Sequence, residues 1–536
     1  MPSQRSFVLL LVLLCSAAAQ ADAPGVYAIT GGTVHTAAGA DIPSGTVIVR
    51  DGLIESVGLG LPVPPDAATI DATGMHVYPG LIDAQTSLGF VTPRPAARRR
   101  GGARSAAEQR PTEAPPDTSP SFLAISGAKI SDDDADAWRS TGVTTVVTVP
   151  SNGIFNGQSV ALDLGTGAPE SRVVRHPATM QVSFNTRPTW TFPDSLMGVI
   201  AYIRQTLFDA QQYGAARAIY DKSPAGNQRP SENLNLQALG PVLRRELPVV
   251  FIADTDLAMR RAQAIAKEFN LRYILSGARQ GYRMADELKA AGVPVFVSVN
   301  WPKPPADKEQ REEQPLRVIR DRQLAPTTPA ALAKAGVPFA LVSGAARAGD
   351  FLPGIRKSID NGLSADDALR ATTLWPARIL GIDRQLGSLE RGKIANVVVT
   401  DKPIFARNAA VKRLLVDGRE VRIPPPEARK AAAGGAASPV DGSWSFTVRT
   451  PSGDVGIQAT LRVENGAVTG HFSGDRGSGD ISGGTLEGST LEFTISARGE
   501  AEASDWVFHG TVSGSSVTGT VSTTLGTFQF SGSKPK

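Results

Sequence analysis

Hydrophobic and polar positions alternate with period two between Tyr27 and Ile70, in YAITGGTVHT, GTVIVRDGLIESVG and ATIDATG. That period turns one face of each run toward a core and the other toward water. Asp51-Gly52 falls between two of the runs, and both residue types tolerate the left-handed backbone of a tight hairpin, so the segment predicts a small antiparallel sheet. From Ile125 to about Gly381 the pattern changes. Short runs that are apolar on both faces, VTTVVTV (143–149), PVVFIAD (248–254), LRYILSG (271–277), VPVFVSV (293–299) and VPFALVSG (337–344), follow amphipathic stretches such as DLAMRRAQAIAKEFN and YRMADELKAAG. Strands of this kind belong to a parallel sheet wrapped by helices, and over this length a closed β/α barrel is the economical form. Hairpin patterning returns in RQLGSLERGKIANVVVTDKPIF and VKRLLVDGREVRI, with Asp417-Gly418 as a second turn.

Residues 424–440 (PPPEARKAAAGGAASPV) are rich in Pro, Ala and Gly and read as a linker. Beyond it, SWSFTVRT, VGIQATLRV, AVTGHFSG, STLEFTIS, DWVFHGTV, SVTGTVS and TFQFSGS alternate strictly, with Asn465-Gly466 as a turn. Closely spaced strands with no helix between them predict an all-β barrel or sandwich over 441–536. GSGDISGG (477–484) lacks a following helix, so it is read as a turn and not as a phosphate loop. Residues 92–120 carry Pro93, Arg94, Pro95, Arg98, Arg99, Arg100 and Arg104 with few large apolar side chains, the composition of a mobile surface loop.

Charge narrows the partners. Lys and Arg number 55 against 51 Asp and Glu, a net +4, too small for this length to argue a nucleic-acid surface. At the N-terminus Arg5, the apolar run Phe7 to Leu14 and Ala19-Gln20-Ala21 have the layout of a secretory signal over 1–21. The run is too short to span a bilayer, and no other segment reaches about 18 consecutive apolar residues. A secreted or periplasmic protein without a membrane span is expected. Cys15 is the only cysteine, so a chain processed after Ala21 has no disulfide, cysteine nucleophile or thiolate metal site.

The stretch VYPGLIDAQTSLG (77–89) resembles the opening motif of the amidohydrolase superfamily, in which PGLID precedes His-x-His. GLSADDALRATTLWPARILGIDRQLGSLERGKIANVVVTD (362–401), followed by LLVDGREV, resembles the closing segment of the same superfamily. EFNLRYILSGARQGYRMADELKAAGVPVFVS is similar to its imidazolonepropionase-like branch. The resemblance runs over roughly 27–422. It implies a TIM-type β/α barrel over 80–384, flanked by a composite β-sandwich built from 24–79 and 385–423. It also implies a hydrolase of non-peptide C–N bonds of the cyclic amide type, using zinc or another divalent ion. That ion would be held by two His of the first strand, a carboxylated Lys or Glu and two His of later strands, and an Asp of the last, to generate a nucleophilic water.

Carried over position by position, the two His of the first strand fall on Gln85 and Ser87. The later ligands fall at Ile252, Ser276-Gly277 and Ser343-Gly344. A neutral amide, hydroxyls and an apolar side chain are poor zinc ligands. The five histidines, His35, His76, His176, His471 and His509, all lie elsewhere. The expectation is therefore a catalytically degenerate barrel with no metal, binding a small molecule through pocket residues Gln85, Ser87, Gln158, Ser276, Arg279 and Ser343. No catalytic residue is identified, and the oligomeric state stays open. Asp83 is expected to brace the first strand. In NGIFNGQSVALDL (152–164), Gln158 and Ser159 either face the pocket or satisfy buried backbone groups. Two alternatives remain. One is an active hydrolase whose metal is held by oxygen ligands: Asp83, Lys222, Asp254, Asp256 and Asp350 lie at or after plausible strand ends, with Asp254 and Asp350 as the metal candidates. The other is a secreted binding module acting through the C-terminal β domain.

Overall fold

The computed structural model describes residues 25–90, 119–423 and 440–534, apart from short breaks at 152, 168, 187–191, 306–310, 312 and 345 and at several turns of the C-terminal part. The signal segment, nearly all of the Arg-rich loop, the linker up to 439 and the Asn465-Gly466 turn lie outside the described residues.

At the N-terminal end, β1 (Val26–Val34), β2 (Ile42–Arg50) and β3 (Leu53–Leu59) form the antiparallel meander that the alternation predicts. Parallel partners β4 (Ala68–Asp71) and β5 (His76–Pro79) then pair with β1.

The chain next builds a barrel of eight staves. They are β6 (Leu81–Thr86), β7 (Val143–Thr148), a stave made of β8 (Phe155–Gln158) and β9 (Val160–Asp163), and, after the edge strand β10 (Val173–Arg175), β11 (Met180–Ser183), β12 (Val249–Ala253), β13 (Tyr273–Gly277), β14 (Val295–Ser298) and β15 (Phe339–Val342). A parallel bridge between Thr86 and Gly344 returns the last strand to the first. One feature departs from the all-parallel expectation: β9 is antiparallel to β7, and β8 is antiparallel to β11. The physical reason is connection length. Only residues 149–154 join β7 to β8, whereas a parallel return needs a crossover of about a dozen residues.

Inside the barrel Ile82, Ala84, Val147, Ala161, Val250, Ile274, Phe296, Ala340 and Val342 form one buried cluster. The opposite faces of the same strands, including Leu81, Val146, Phe251, Leu275, Val297 and Leu341, pack against the helices. Helix α1 (Leu196–Lys222) buries Val199, Ile203, Leu207 and Ala210. Helix α2 (Asp256–Glu268) starts where the Thr255 hydroxyl accepts from the Ala258 N–H at 3.2 Å, and it presents Met259, Ala262, Ile265 and Ala266 to the barrel. Helices α3 (Ala348–Ile359) and α4 (Ala365–Ala371) follow the last barrel strand.

The C-terminal flank then rejoins the first sheet. Strand β16 (Val397–Thr400) pairs antiparallel with β5, and β17 (Val411–Val416) and β18 (Arg419–Glu420) extend the edge. Hydrogen bonding joins the eight strands of both flanks into a single mixed sheet, where a composite sandwich was expected. The two Asp-Gly turns meet within it. Asp51 and Gly52 (φ 50° and 82°) and Asp417 and Gly418 (φ 52° and 68°) all lie in the left-handed region, and a Cβ added at Gly418 would collide with the Gly52 backbone. Asp163 ties this sheet to the barrel. Its carboxyl accepts from Thr145 Oγ1 at 2.6 Å and Asn396 Nδ2 at 3.1 Å, while Asn396 Oδ1 accepts from the Asp417 N–H at 2.8 Å. Burial pushes the Asp163 pKa up to about 7.

The C-terminal unit is a closed antiparallel barrel of eight strands in sequential order: β19 (Gly442–Thr450), β20 (Gly453–Glu464), β21 (Ala467–Gly474), β22 (Gly477–Glu487), β23 (Thr490–Arg498), β24 (Ala503–Ser513), β25 (Ser516–Thr523) and β26 (Gly526–Ser533). The glycine-rich 477–484 segment, expected as a turn, is part of β22. Glycine permits this because the chains approach closely there, and a Cβ at Gly484 would meet Val468 and the Glu492 carbonyl. Trp444, Phe446, Phe493, Phe508 and Phe530 fill the interior, with the Phe493 and Phe508 rings stacked at 4.7 Å. Among the described residues no helix is long and apolar enough to cross a membrane.

Candidate functional site

In a β/α barrel, groups that meet a ligand project from the C-terminal ends of the strands. A chain of neutral hydrogen bonds runs here from those ends down into the barrel. Ser276 Oγ, at the end of β13, donates to Gln85 Oε1 on β6. Gln85 Nε2 donates to Gln181 Oε1 on β11 at 3.4 Å, and Gln181 Nε2 donates to Thr179 Oγ1 at 3.2 Å. Thr179 Oγ1 in turn shares a hydrogen bond of 2.7 Å with Ser159 Oγ. All five side chains are buried, so each bond satisfies a polar group that water does not reach. The sequence reading omitted Gln181. Its only signal was a lone amide within the apolar run TMQVSF.

Above this ladder lies a cavity of about 230 Å³ whose wall includes Gln85, Ser87, Asn185, Ile252, Asp254, Ser276, Arg279, Ser298, Asn300 and Gly344. Among the described residues the one ion pair on that wall is internal. Arg279 Nε donates to Asp254 Oδ1 at 3.0 Å and Nη2 donates to Asp254 Oδ2, while Nη1 reaches the Asn300 carbonyl at 3.4 Å. A fork on a carboxylate fixes both groups. Gly277 makes room for it: its φ is +88°, and a Cβ there would collide with Asp254 Oδ1. Gly277→Ala is therefore expected to cost about 2–3 kcal/mol from left-handed strain plus the clash. Urea denaturation reads this, and an unchanged midpoint would show that Asp254 can retreat without loss.

Of the six pocket candidates, Gln85, Ser87, Ser276 and Arg279 come together on this wall. Gln158 and Ser343 do not. The Gln158 amide instead donates to the Pro120 carbonyl at 3.2 Å, and its N–H donates to the Phe122 carbonyl at 2.8 Å. Its side chain thereby satisfies the backbone of the segment before the first helical turn. Ser343 is fully buried. Its N–H donates to Asp83 Oδ1 at 3.0 Å and its hydroxyl donates to Asp83 Oδ2. The Asp83 carboxyl also accepts from the Gln85 N–H at 3.3 Å, so it spans the seam between the first and last barrel strands. Burial, the dominant cause, pushes its pKa up to about 7 against the opposing hydrogen bonds.

The described residues at the mouth do not form a donor set that matches a divalent ion. The positions that the resemblance assigns to ligands hold Gln85, Ser87, Ile252, Ser276 and Gly344, and Asp254 spends both oxygens on Arg279. Asp350 lies in the first turn of α3, half exposed, with Lys303 Nζ at 3.8 Å, and does not join Asp254 on the wall. Lys222 is exposed in the last turn of α1, and Asp256 opens α2. Among the described residues no group of three or more His, Cys, Asp or Glu side chains converges to hold a metal ion.

Residues 263–421 match the model of the amidohydrolase family. Over 53 residues the chain is 45% identical to N-acetylglucosamine-6-phosphate deacetylase of Haemophilus influenzae, a stretch covering 10% of this chain and 13% of that enzyme. The solved amidohydrolase of Thermotoga maritima superposes with a TM-score of 0.63 at 24% identity, over 74% of this chain and 99% of its own. That superposition shows a shared fold. Residues 263–421 thus match the amidohydrolase family model, and the barrel with its flanking sheet shares the fold of the solved Thermotoga maritima amidohydrolase.

Proposed function

We propose that this protein descends from hydrolases of non-peptide C–N bonds of the cyclic amide type and no longer performs metal-dependent hydrolysis. Its barrel mouth instead holds a small, uncharged polar ligand. The observation that carries the reading is the ladder from Ser276 through Gln85 to Gln181, which ties up the first-strand position where the family's chemistry would begin. The internal pairing of Arg279 with Asp254 leaves the wall without a net charge, so hydroxyls and amides of Ser87, Asn185, Ser298 and Asn300 are the groups left to meet a ligand. A secretory leader over 1–21 would place this binding outside the inner membrane of a bacterial host.

Metal content tests the reading. Protein purified without a His-tag from zinc- and manganese-supplemented medium is expected to carry less than about a tenth of an equivalent of either ion by mass spectrometry, since the donor set lacks imidazole and free carboxylate. Near-stoichiometric metal that is lost in Asp254→Ala or Asp350→Ala would overturn the proposal in favour of an active hydrolase with oxygen ligands. Screens with amide and lactam substrates would then follow.

A further inference from the structure

A second concavity, of about 980 Å³, lies away from the barrel mouth, between α3, α4, the loop after β16 and the edge of the composite sheet. Its floor is apolar and well ordered by contacts. Tyr78 and Ile404 are buried, and the Tyr78 hydroxyl accepts from the Ile404 N–H at 3.3 Å. His35 lies flat on Tyr78, ring centroids 4.4 Å apart and planes 4° from parallel. The His35 ring is held in that plane by Asp41 at 2.7 Å on Nδ1 and by His76 at 3.0 Å on Nε2. The result is a rigid aromatic surface beside Phe405 and Leu369.

Three cations line the same concavity: Arg356 on α3, Lys357 beside it, and Arg407 on the loop. Several arginines of this unit pair with acids, as Arg50 does with Glu55 and Asp66, Arg204 with Glu268, and Arg279 with Asp254. Arg356 and Arg407 do not, although they share one concavity: among the described residues neither makes a hydrogen bond or an ion pair. Asp360 and Asp366 stand on the rim, and Asp360 favours the Arg356 charge only through space. Burial and the neighbouring Arg407 both hold the Arg356 pKa down, which is the effect of placing two guanidiniums near one another in a partly desolvated cleft. Among the described residues no carboxylate hydrogen-bonds either guanidinium, and three cations against two rim acids leave the cleft with a positive balance. An anion is the missing partner, and a planar guanidinium fork suits a carboxylate or phosphate.

We propose that this cleft is a second binding site, distinct from the barrel mouth, for a small organic anion. The anionic group would sit between Arg356 and Arg407, and an apolar ring would lie against the His35–Tyr78 stack and Phe405. The site does not depend on what the barrel mouth does.

Anilinonaphthalene sulfonate, a planar aromatic anion whose emission rises on burial, is the probe, and neutral phenylnaphthylamine is its uncharged counterpart. The full-length protein is expected to bind the sulfonate at a saturable site and to lose affinity on the order of tenfold in Arg356→Gln/Arg407→Gln, since each charged hydrogen bond lost is worth about that factor or more. Neutral dye binding should be unchanged in that variant, and inorganic phosphate should compete with the sulfonate only in the parent. Arg244→Gln/Arg245→Gln, which removes the same charge from a remote surface, should leave sulfonate affinity intact. Equal sulfonate affinity in the parent and the Arg356/Arg407 variant, a parallel loss for both dyes, or the same loss in the remote variant would each overturn the site. Thermal midpoints of the variants within a few degrees of the parent separate lost binding from lost folding.

Discussion

Asp83→Ala should lose about 3 kcal/mol of stability at neutral pH, the largest single-site effect expected in the barrel interior. The carboxyl accepts from the Ser343 N–H, the Ser343 hydroxyl and the Gln85 N–H, and it is fully buried. Alanine removes both acceptor oxygens and so all three bonds at once, leaving two backbone donors and a hydroxyl without partners across the seam that closes β6 against β15. Asp83→Asn should behave differently. The amide oxygen keeps the Ser343 N–H, the amide nitrogen donates to the Ser343 hydroxyl, and no charge is buried.

The pH dependence sharpens the contrast. The folded pKa of Asp83 is about 7 against a reference of 3.8, so the folded state holds a proton that the unfolded chain has already released. Its favourable contribution is fully present below about pH 4 and is lost as pH rises toward 7, with a slope of at most about 1.4 kcal/mol per pH unit. Asp163 contributes a decline in the same direction, because its pKa is also raised from 3.8 to about 7 by burial. Urea midpoints measured from pH 4.5 to 8 should therefore fall with pH in the parent and fall less in Asp83→Asn. A midpoint that rises over that range would show that Asp83 is ionised and stabilised in the fold. An alanine variant as stable as the asparagine one would show that the seam does not need the acceptor.

The second large effect is expected at Gly418. Its φ of +68° already disfavours a side chain by about 1 kcal/mol, and a Cβ would also press into the backbone of Gly52 on the neighbouring turn. Gly60 supplies the control, since its φ of +66° is nearly the same but nothing lies near its would-be Cβ. Gly60→Ala should cost about 1 kcal/mol and Gly418→Ala about 3 kcal/mol or more, because backbone cannot swing aside as a long side chain can. Equal costs for the two variants would show that the turns separate freely and that their contact does not hold the flanks together.

These positions also mark where the amino-acid pattern was legible. Asp51-Gly52 and Asp417-Gly418 announced two hairpins because left-handed backbone is a local preference. The strand runs 143–149, 248–254, 271–277, 293–299 and 337–344 announced barrel strands because both of their faces are buried, one in the barrel interior and one against helices. Asp83 was read correctly as a brace. Gln158, by contrast, was read as either pocket-facing or structural, and only its bond to the Pro120 carbonyl decides between them. Ser343 was placed at the mouth by strand order alone, yet its hydroxyl turns into the seam. The antiparallel 155–163 stave escaped notice because an apolar run has no direction. Arg356 and Arg407 were not singled out, since nothing in their neighbourhoods along the chain says that they lack a counter-ion.

What the sequence determined by itself was the set of elements, their hydrophobic faces, the turn chemistry and an amide and a hydroxyl, Gln85 and Ser87, at the end of the first barrel strand, all properties of residues read with their near neighbours. The tertiary structure alone decided which polar groups pair across strands, that two distant turns share one contact, and which cations are left without acids. Those depend on distances between residues up to hundreds of positions apart, as between Asp83 and Ser343, and hydrogen bonds and ion pairs fall off within a few ångströms, so no local pattern encodes them.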